Sequence, residues 1–206
     1  MGLIKLLIND PVTFLLLTIP LLYSVIVHEL AHGWVALVMG DNTAKRLGRL
    51  SLNPLKHLDP LGTLMLFIVG FGWAKPVPVN LQNISSRRTG FVLVSAAGVV
   101  ANTIFAFVAI LLTQILMPPP QSPMATFLFY LAQINIILAA FNLIPIPPLD
   151  GSKIVMGLLP DHIRHIFQRM EPYGFFIIII MLYLGVLTPV IVFFRRMILG
   201  VIGFFL

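Results

Sequence analysis

His28, Glu29 and His32 fall within five residues of one another in the run His28-Glu29-Leu30-Ala31-His32. In an α-helix, positions four apart share a face and stand about 6 Å apart along the axis. The two imidazoles can therefore ligate one metal ion. A glutamate beside the first histidine stands close to such an ion without binding it. This is the arrangement of a zinc hydrolase, in which zinc acidifies a water, the carboxylate takes the proton, and the water attacks a peptide carbonyl. The same five-residue pattern also arises by chance on surface helices of soluble proteins. Its setting here argues otherwise, because Val12 to Val27 is almost wholly apolar and Gly33 to Met39 continues the run. A charge at the centre of a membrane helix costs at least about 2.5–3.5 kcal/mol. Three ionisable groups on one turn of such a helix call for a compensating partner, and a metal is one.

Two histidines leave zinc short of a protein ligand. Asp150 is the candidate third, in Asn142-Leu143-Ile144-Pro145-Ile146-Pro147-Pro148-Leu149-Asp150-Gly151. The prolines lack amide donors and must break a helix there. Unwound backbone at membrane depth is tolerated where it lines a cavity. Such a segment would aim Asp150 back at the histidine pair, with Gly151 permitting a tight turn. The alternative is that Asp150 only caps a helix beginning near Ser152. His162 and His165 also share a helix face, but Arg164 and Arg169 beside them mark a solvated interfacial helix. His57, between Lys56 and Asp59, reads as a loop residue.

The elements that must position these groups are set by the solvent. Of 206 residues, 59% are apolar and only 10% charged, against roughly 25% charged in a soluble domain. Mean hydropathy is +1.02. A water-soluble fold could not hide that much apolar surface. A net charge of +6 would suit nucleic acid only if the basic residues clustered, whereas here they sit in short loops between apolar runs, as in cytoplasmic loops of membrane proteins. The absence of cysteine excludes disulfides, thiolate ligands and cysteine nucleophiles. The first apolar segment is read as retained rather than cleaved, since the candidate site lies inside it. The expectation is one integral-membrane domain over residues 1–206, all-α and polytopic, with roughly four to six membrane segments.

Pro11 to Met39 is long enough to cross a bilayer, with Asp10-Pro11 as a start and Gly40-Asp41-Asn42 as a stop. Leu47 to Leu52 alternates apolar with polar and reads as a short strand. Leu61 to Trp73 is marginal for a crossing, and basic loops on both sides leave open whether it crosses or enters and returns. Residues 73–83 read as an extended strand or loop, since each proline biases its predecessor away from helix. Spans at 90–117 and 124–141 follow, joined by the uncharged turn at Pro118-Pro119-Pro120. An amphipathic stretch at 152–171 precedes an apolar tail, 173–206, which is either two short spans or one span with an interfacial helix.

The two motifs together, in this order and on two different membrane segments, resemble the site-2 protease family of intramembrane metalloproteases. Gly72-Trp73-Ala74-Lys75-Pro76-Val77-Pro78-Val79-Asn80 is similar to a stretch in that family's short prokaryotic branch. The resemblance implies one zinc bound by His28, His32 and Asp150, with Glu29 as general base. It also implies that Asn142 steadies the oxyanion, as an amide donor near zinc would; otherwise Asn142 merely ends its helix. The family often has Ala-Gly-Pro-x-x-Asn where this chain has Ala97-Gly98-Val99-Val100-Ala101-Asn102, which puts any carried-over role for Asn102 in doubt. No PDZ-like or cystathionine-synthase-like insertion is visible. The implied substrates are single-span membrane proteins cut within the bilayer, in a bacterial or archaeal cell membrane, with the site nearer the cytoplasmic side. Gly70-Phe71-Gly72 and the segment after it could offer an edge to an unwound substrate strand. A membrane zinc transporter and a catalytically silent adaptor are the alternatives; the first needs no Glu29, the second none of the four site residues. Oligomeric state is not legible.

Overall fold

The computed structural model of the chain describes residues 3–69, 72–85 and 87–206, except for the side chains of Val69, Arg87, Asp161, His162 and Ile163. Among these residues the structure is helical, with no strand. The helices are α1 (Leu3–Asn9), α2 (Pro11–Val38), α3 (Thr43–Arg46), α4 (Pro60–Val69), α5 (Arg87–Leu116), α6 (Pro123–Asn142), α7 (Asp150–Leu158), α8 (Asp161–Tyr183) and α9 (Leu187–Phe205). Five of them, α2, α5, α6, α8 and α9, are long and apolar enough to cross a membrane. The chain is thus an all-α polytopic membrane protein.

α2 begins where the sequence predicts. Asp10 caps it by accepting from the Thr13 amide, Pro11 occupies the first turn where no amide partner is needed, and Gly40 at φ +108° ends it. α2, α5 and α6 pack on one another, and α9 lies against α6. In lipid there is no hydrophobic drive between helices, so close packing of small side chains has to hold them. Ala106 of α5 and Ala139 and Ala140 of α6 are accordingly fully buried, beside Val99, Ile136, Ile198 and Ile202.

Two expectations are corrected and one is narrowed. Leu47 to Leu52 forms no strand: Gly48 takes φ +62° and the Arg49 amide bonds back to the Ala44 carbonyl, so the segment is a helix ending, and Leu47 and Leu52 are exposed. Residues 72–80 are extended but join no sheet beyond a single bridge from Ala74 to Leu58. Pro76 and Pro78 remove every second amide a ladder would need. Finally, the amphipathic stretch is not one element: its start is α7, and its remainder joins the first part of the tail in one helix, α8, running through Pro172.

α4 is ten residues long, about 15 Å at 1.5 Å per residue, half a bilayer core. Gly70 and Phe71 lie outside the described residues. At Gly72 the chain is already back against its own start, since a Cβ on Gly72 would overlap the Gly62 carbonyl and one on Gly62 the Trp73 carbonyl. From there residues 72–80 run as a strap across the end of α2.

Candidate metal centre and its cavity

His28 and His32 project from one face of α2. Asp150 is brought to them from α7 by the segment 143–149. This segment is anchored by buried Ile144 and Pro147 and by Gly151, whose Cβ position is filled by the Leu143 carbonyl. Leu149, not Asp150, occupies the cap position of α7, and no side-chain cap bond is made there. The Asp150 carboxylate is therefore free to face α2 from the first turn of its helix, where the helix dipole favours negative charge.

Three atoms converge. Asp150 Oδ2 stands 3.0 Å from His28 Nε2 and 3.1 Å from His32 Nε2, and the two nitrogens are 3.2 Å apart. The side chains are only 10%, 12% and 6% exposed. Despite these distances Asp150 Oδ2 has no aligned hydrogen-bond partner. The three ligand atoms thus lie together in one close triangle. Zinc bonds of about 2.0–2.1 Å in a tetrahedron would put ligand atoms about 3.3–3.4 Å apart, close to the triangle observed. The group could hold a metal ion.

The surroundings fix the ligands. His32 Nδ1 lies 2.6 Å from the Val94 carbonyl of α5. A carbonyl can only accept, so Nδ1 carries the proton and Nε2 keeps its lone pair for a metal. Asp150 Oδ1, the oxygen away from the histidines, has Lys153 Nζ at 3.5 Å, one helical turn along α7. Glu29 does not join the triangle. Its Oε2 accepts from the Val77 amide at 2.8 Å, which leaves Oε1 to act. Glu29, His32, Asp150, Lys153, Pro76 and Val77 are among the walls of a cavity of about 270 Å³.

The strap over this cavity is held at both ends of its run. The Lys75 amide donates to the His57 carbonyl, and His57, buried in its loop, reaches Ser51 O through Nε2. At the far end Asp41, 1% exposed, accepts from the Asn80 amide, Asn83 Nδ2, the Thr43 amide and the Thr43 hydroxyl. Arg49 donates to the Lys75 and Pro76 carbonyls. The part of the expected pairing edge that is described has therefore already committed the amides of Lys75, Val77 and Asn80.

Asn142 is placed at the end of α6 with its amide donating to the Leu138 carbonyl at 3.0 Å, and it does not line the cavity. His165 is exposed beside Gln168; the side chain of His162 lies outside the described residues. Of Val77, Val94, Lys153 and Asp41, three carry no mark of a site in the sequence. Only Lys153 had a signal, its spacing of three from Asp150 on one helix.

Comparison with known proteins decides the lineage. The model of "Peptidase family M50" matches residues 118–185, the stretch that carries Asn142 and Asp150. The chain is 43% identical over 172 residues to "Putative zinc metalloprotease YwhC" of Bacillus subtilis (strain 168), covering 80% of this chain and 78% of that one. The chain belongs to peptidase family M50. Two further relatives are both named "Putative zinc metalloprotease Rip2". The one from Mycolicibacterium smegmatis (strain ATCC 700084 / mc(2)155) is 29% identical over 82% of this chain and 67% of its own length. The one from Mycobacterium tuberculosis (strain ATCC 25618 / H37Rv) is 32% identical over 72% of this chain and 57% of its own length. No solved structure matches the chain significantly. M50 is the family of site-2 proteases that the motifs resemble, and the protein is a metalloprotease of it.

Proposed function

We propose that the protein is an intramembrane zinc endopeptidase that holds one zinc through His28, His32 and Asp150 and cuts membrane-spanning segments of single-span proteins. The observation that carries this reading is the convergence of three ligand atoms beside Glu29 on a helix long enough to cross the bilayer. Zinc, when bound, would supply Lewis acidity and an acidified water. The chain does the rest. Glu29 Oε1 accepts the water's proton and returns it to the leaving amine, while Oε2 stays on the Val77 amide and keeps the carboxylate oriented. Lys153 offsets the charge of Asp150. The strap and the apolar walls restrict access of bulk water. Asn142, by the resemblance, would donate to the developing oxyanion after exchanging its bond to Leu138 for one to substrate. The basic loops at the strap end support a cell-membrane setting with the site toward the cytoplasm.

In purified protein, Glu29→Gln should abolish proteolysis and retain about one zinc per chain, the carboxylate being a base and not a ligand. Persisting cleavage would overturn the mechanism. Asp150→Ala should lose the metal, and full occupancy in that variant would return Asp150 to a structural role. Asn142→Ala at wild-type turnover would remove Asn142 from the catalytic set. Comparing membranes from cells with the native and Glu29→Gln forms should reveal accumulated single-span proteins; accumulation only of soluble proteins would exclude the substrate class.

A further inference from the structure

α2 and α5 run antiparallel in a register that the contacts fix. His32 bonds to the Val94 carbonyl, and the His28 ring lies where a Cβ of Gly98 would be. Carried one turn further along both helices, that register puts Ser24 at the level of Asn102. Asn135 of α6 completes this level, donating from Nδ2 to Ser24 Oγ at 2.7 Å. Ser24, Asn102 and Asn135 are all fully buried. One turn from His28 toward the start of α2 there is thus a level of three buried polar side chains, from α2, α5 and α6.

That layer is unsatisfied in a specific way. His28 Nδ1, both polar atoms of the Asn102 carboxamide and Asn135 Oδ1 are buried with no hydrogen-bond partner. Leaving such a group unpaired in a buried site is destabilising. The orphans are of both kinds. When Nε2 of His28 is left for a metal, Nδ1 is a donor; the Asn102 amide nitrogen is another, and the two carboxamide oxygens are acceptors. Water both donates and accepts two bonds, and buried waters typically bridge groups of this sort.

We propose that this layer is an ordered-water site and that Asn102 is the positioning residue for His28, taking the proton of Nδ1 through a bridging water. His32 and His28 then have the same design by different means: a backbone carbonyl holds one ring, and a water on a carboxamide holds the other. Asn135, fastened to Ser24, is the second anchor of the water. The Val99-Val100 pair before Asn102 does not alter this, since the role needs only the carboxamide at the level of Ser24. The inference rests on the zinc reading of the triad, and it assigns Asn102 no contact with substrate.

The test measures metal affinity by chelator competition, with Zn²⁺ and with Co²⁺, in purified full-length protein carrying Asn102→Leu or Asn102→Asp. A leucine has the same number and branching of side-chain heavy atoms as asparagine and suits an apolar bundle, so a packing role predicts that it binds metal normally and that a buried aspartate is the damaging change. A positioning role predicts the reverse. Asn102→Leu should lose about 10–100-fold in affinity, as outer partners of ligating histidines generally do, while Asn102→Asp, which keeps the acceptor, stays within about threefold of wild type. The ¹⁵N spectrum of histidine-labelled, metal-free protein gives a second reading: Nδ1–H should dominate at His28 in the wild type and in Asn102→Asp, and mix with Nε2–H in Asn102→Leu. Wild-type affinity in Asn102→Leu, or an unchanged tautomer, overturns the proposal. A wild-type protein that binds no metal defeats the zinc reading itself.

Discussion

Gly98 shows how little room the site leaves at the residue scale. It is the only residue type that lets α5 approach the His28 ring, since any Cβ would occupy the ring's own volume. Gly98→Ala should push the ring out of the triangle and weaken metal binding about tenfold or more, with secondary structure by circular dichroism unchanged. Wild-type metal affinity in that variant would show that the ring can yield without cost. The histidine pair and Glu29 were legible in the sequence because helix periodicity alone puts positions 28 and 32 together. Asp150 was legible as a candidate, but whether it capped or faced the pair depended on which residue took the cap, and the fold gave that to Leu149. The Val94 carbonyl and the Val77 amide were not legible at all. Backbone groups have no side-chain identity, and only the tertiary register of α2 with α5 and with the strap selects them.

At the scale of elements, the strap depends on Asp41. Burial pushes that carboxyl up, but the donors from Thr43, Asn83 and Asn80 outweigh it and leave it below the ordinary carboxylate range. A depressed folded value contributes stability above the unfolded pKa of about 3.9 and loses it as pH falls through the folded value. The strap end should therefore stay anchored at neutral pH and loosen as the medium is acidified below about pH 4. Trp73, at the start of the strap, reports this in a Trp34→Phe background. Its emission should shift on acidification in otherwise native protein and already be shifted at neutral pH in Asp41→Asn. An emission that is flat across this range in the first and native-like in the second would count against the anchor. The sequence foretold an extended segment here from its prolines, and rightly excluded helix. It could not separate a strand from a strap, because period-two alternation is shared by both and the difference lies in where the amides find acceptors. α8 was missed for the opposite reason. The sequence divides the segment near residue 172, where the charged stretch meets the apolar tail, yet the helix continues, since a single missing amide can be absorbed within a membrane helix.

For the whole molecule, composition alone was decisive, since so few charges and so many apolar residues have one solvent in which to fold. The structure adds direction. α5 separates the basic loop around Leu55 from the uncharged turn at 118–120, so a crossing by α5 puts these on opposite faces of the membrane. With no native cysteine, single replacements at Leu55, 80% exposed, and at Pro120 are clean reporters. An impermeant maleimide should label Pro120→Cys in intact cells and Leu55→Cys only after the membrane is opened; labelling of both from one side would refute a crossing by α5. The number of crossings after α7 was not legible, because α8 combines a charged first half with an apolar second half in one helix. Beyond catalysis, the strap has a consequence for how copies of the protein coexist. An extended segment on the face of a crowded membrane invites edge-to-edge pairing with its neighbours. Between Lys75 and Asn80, two amides are lost to proline and three are turned inward, to His57, Glu29 and Asp41. At most one is left for an outside chain, so this stretch offers little to a shared sheet.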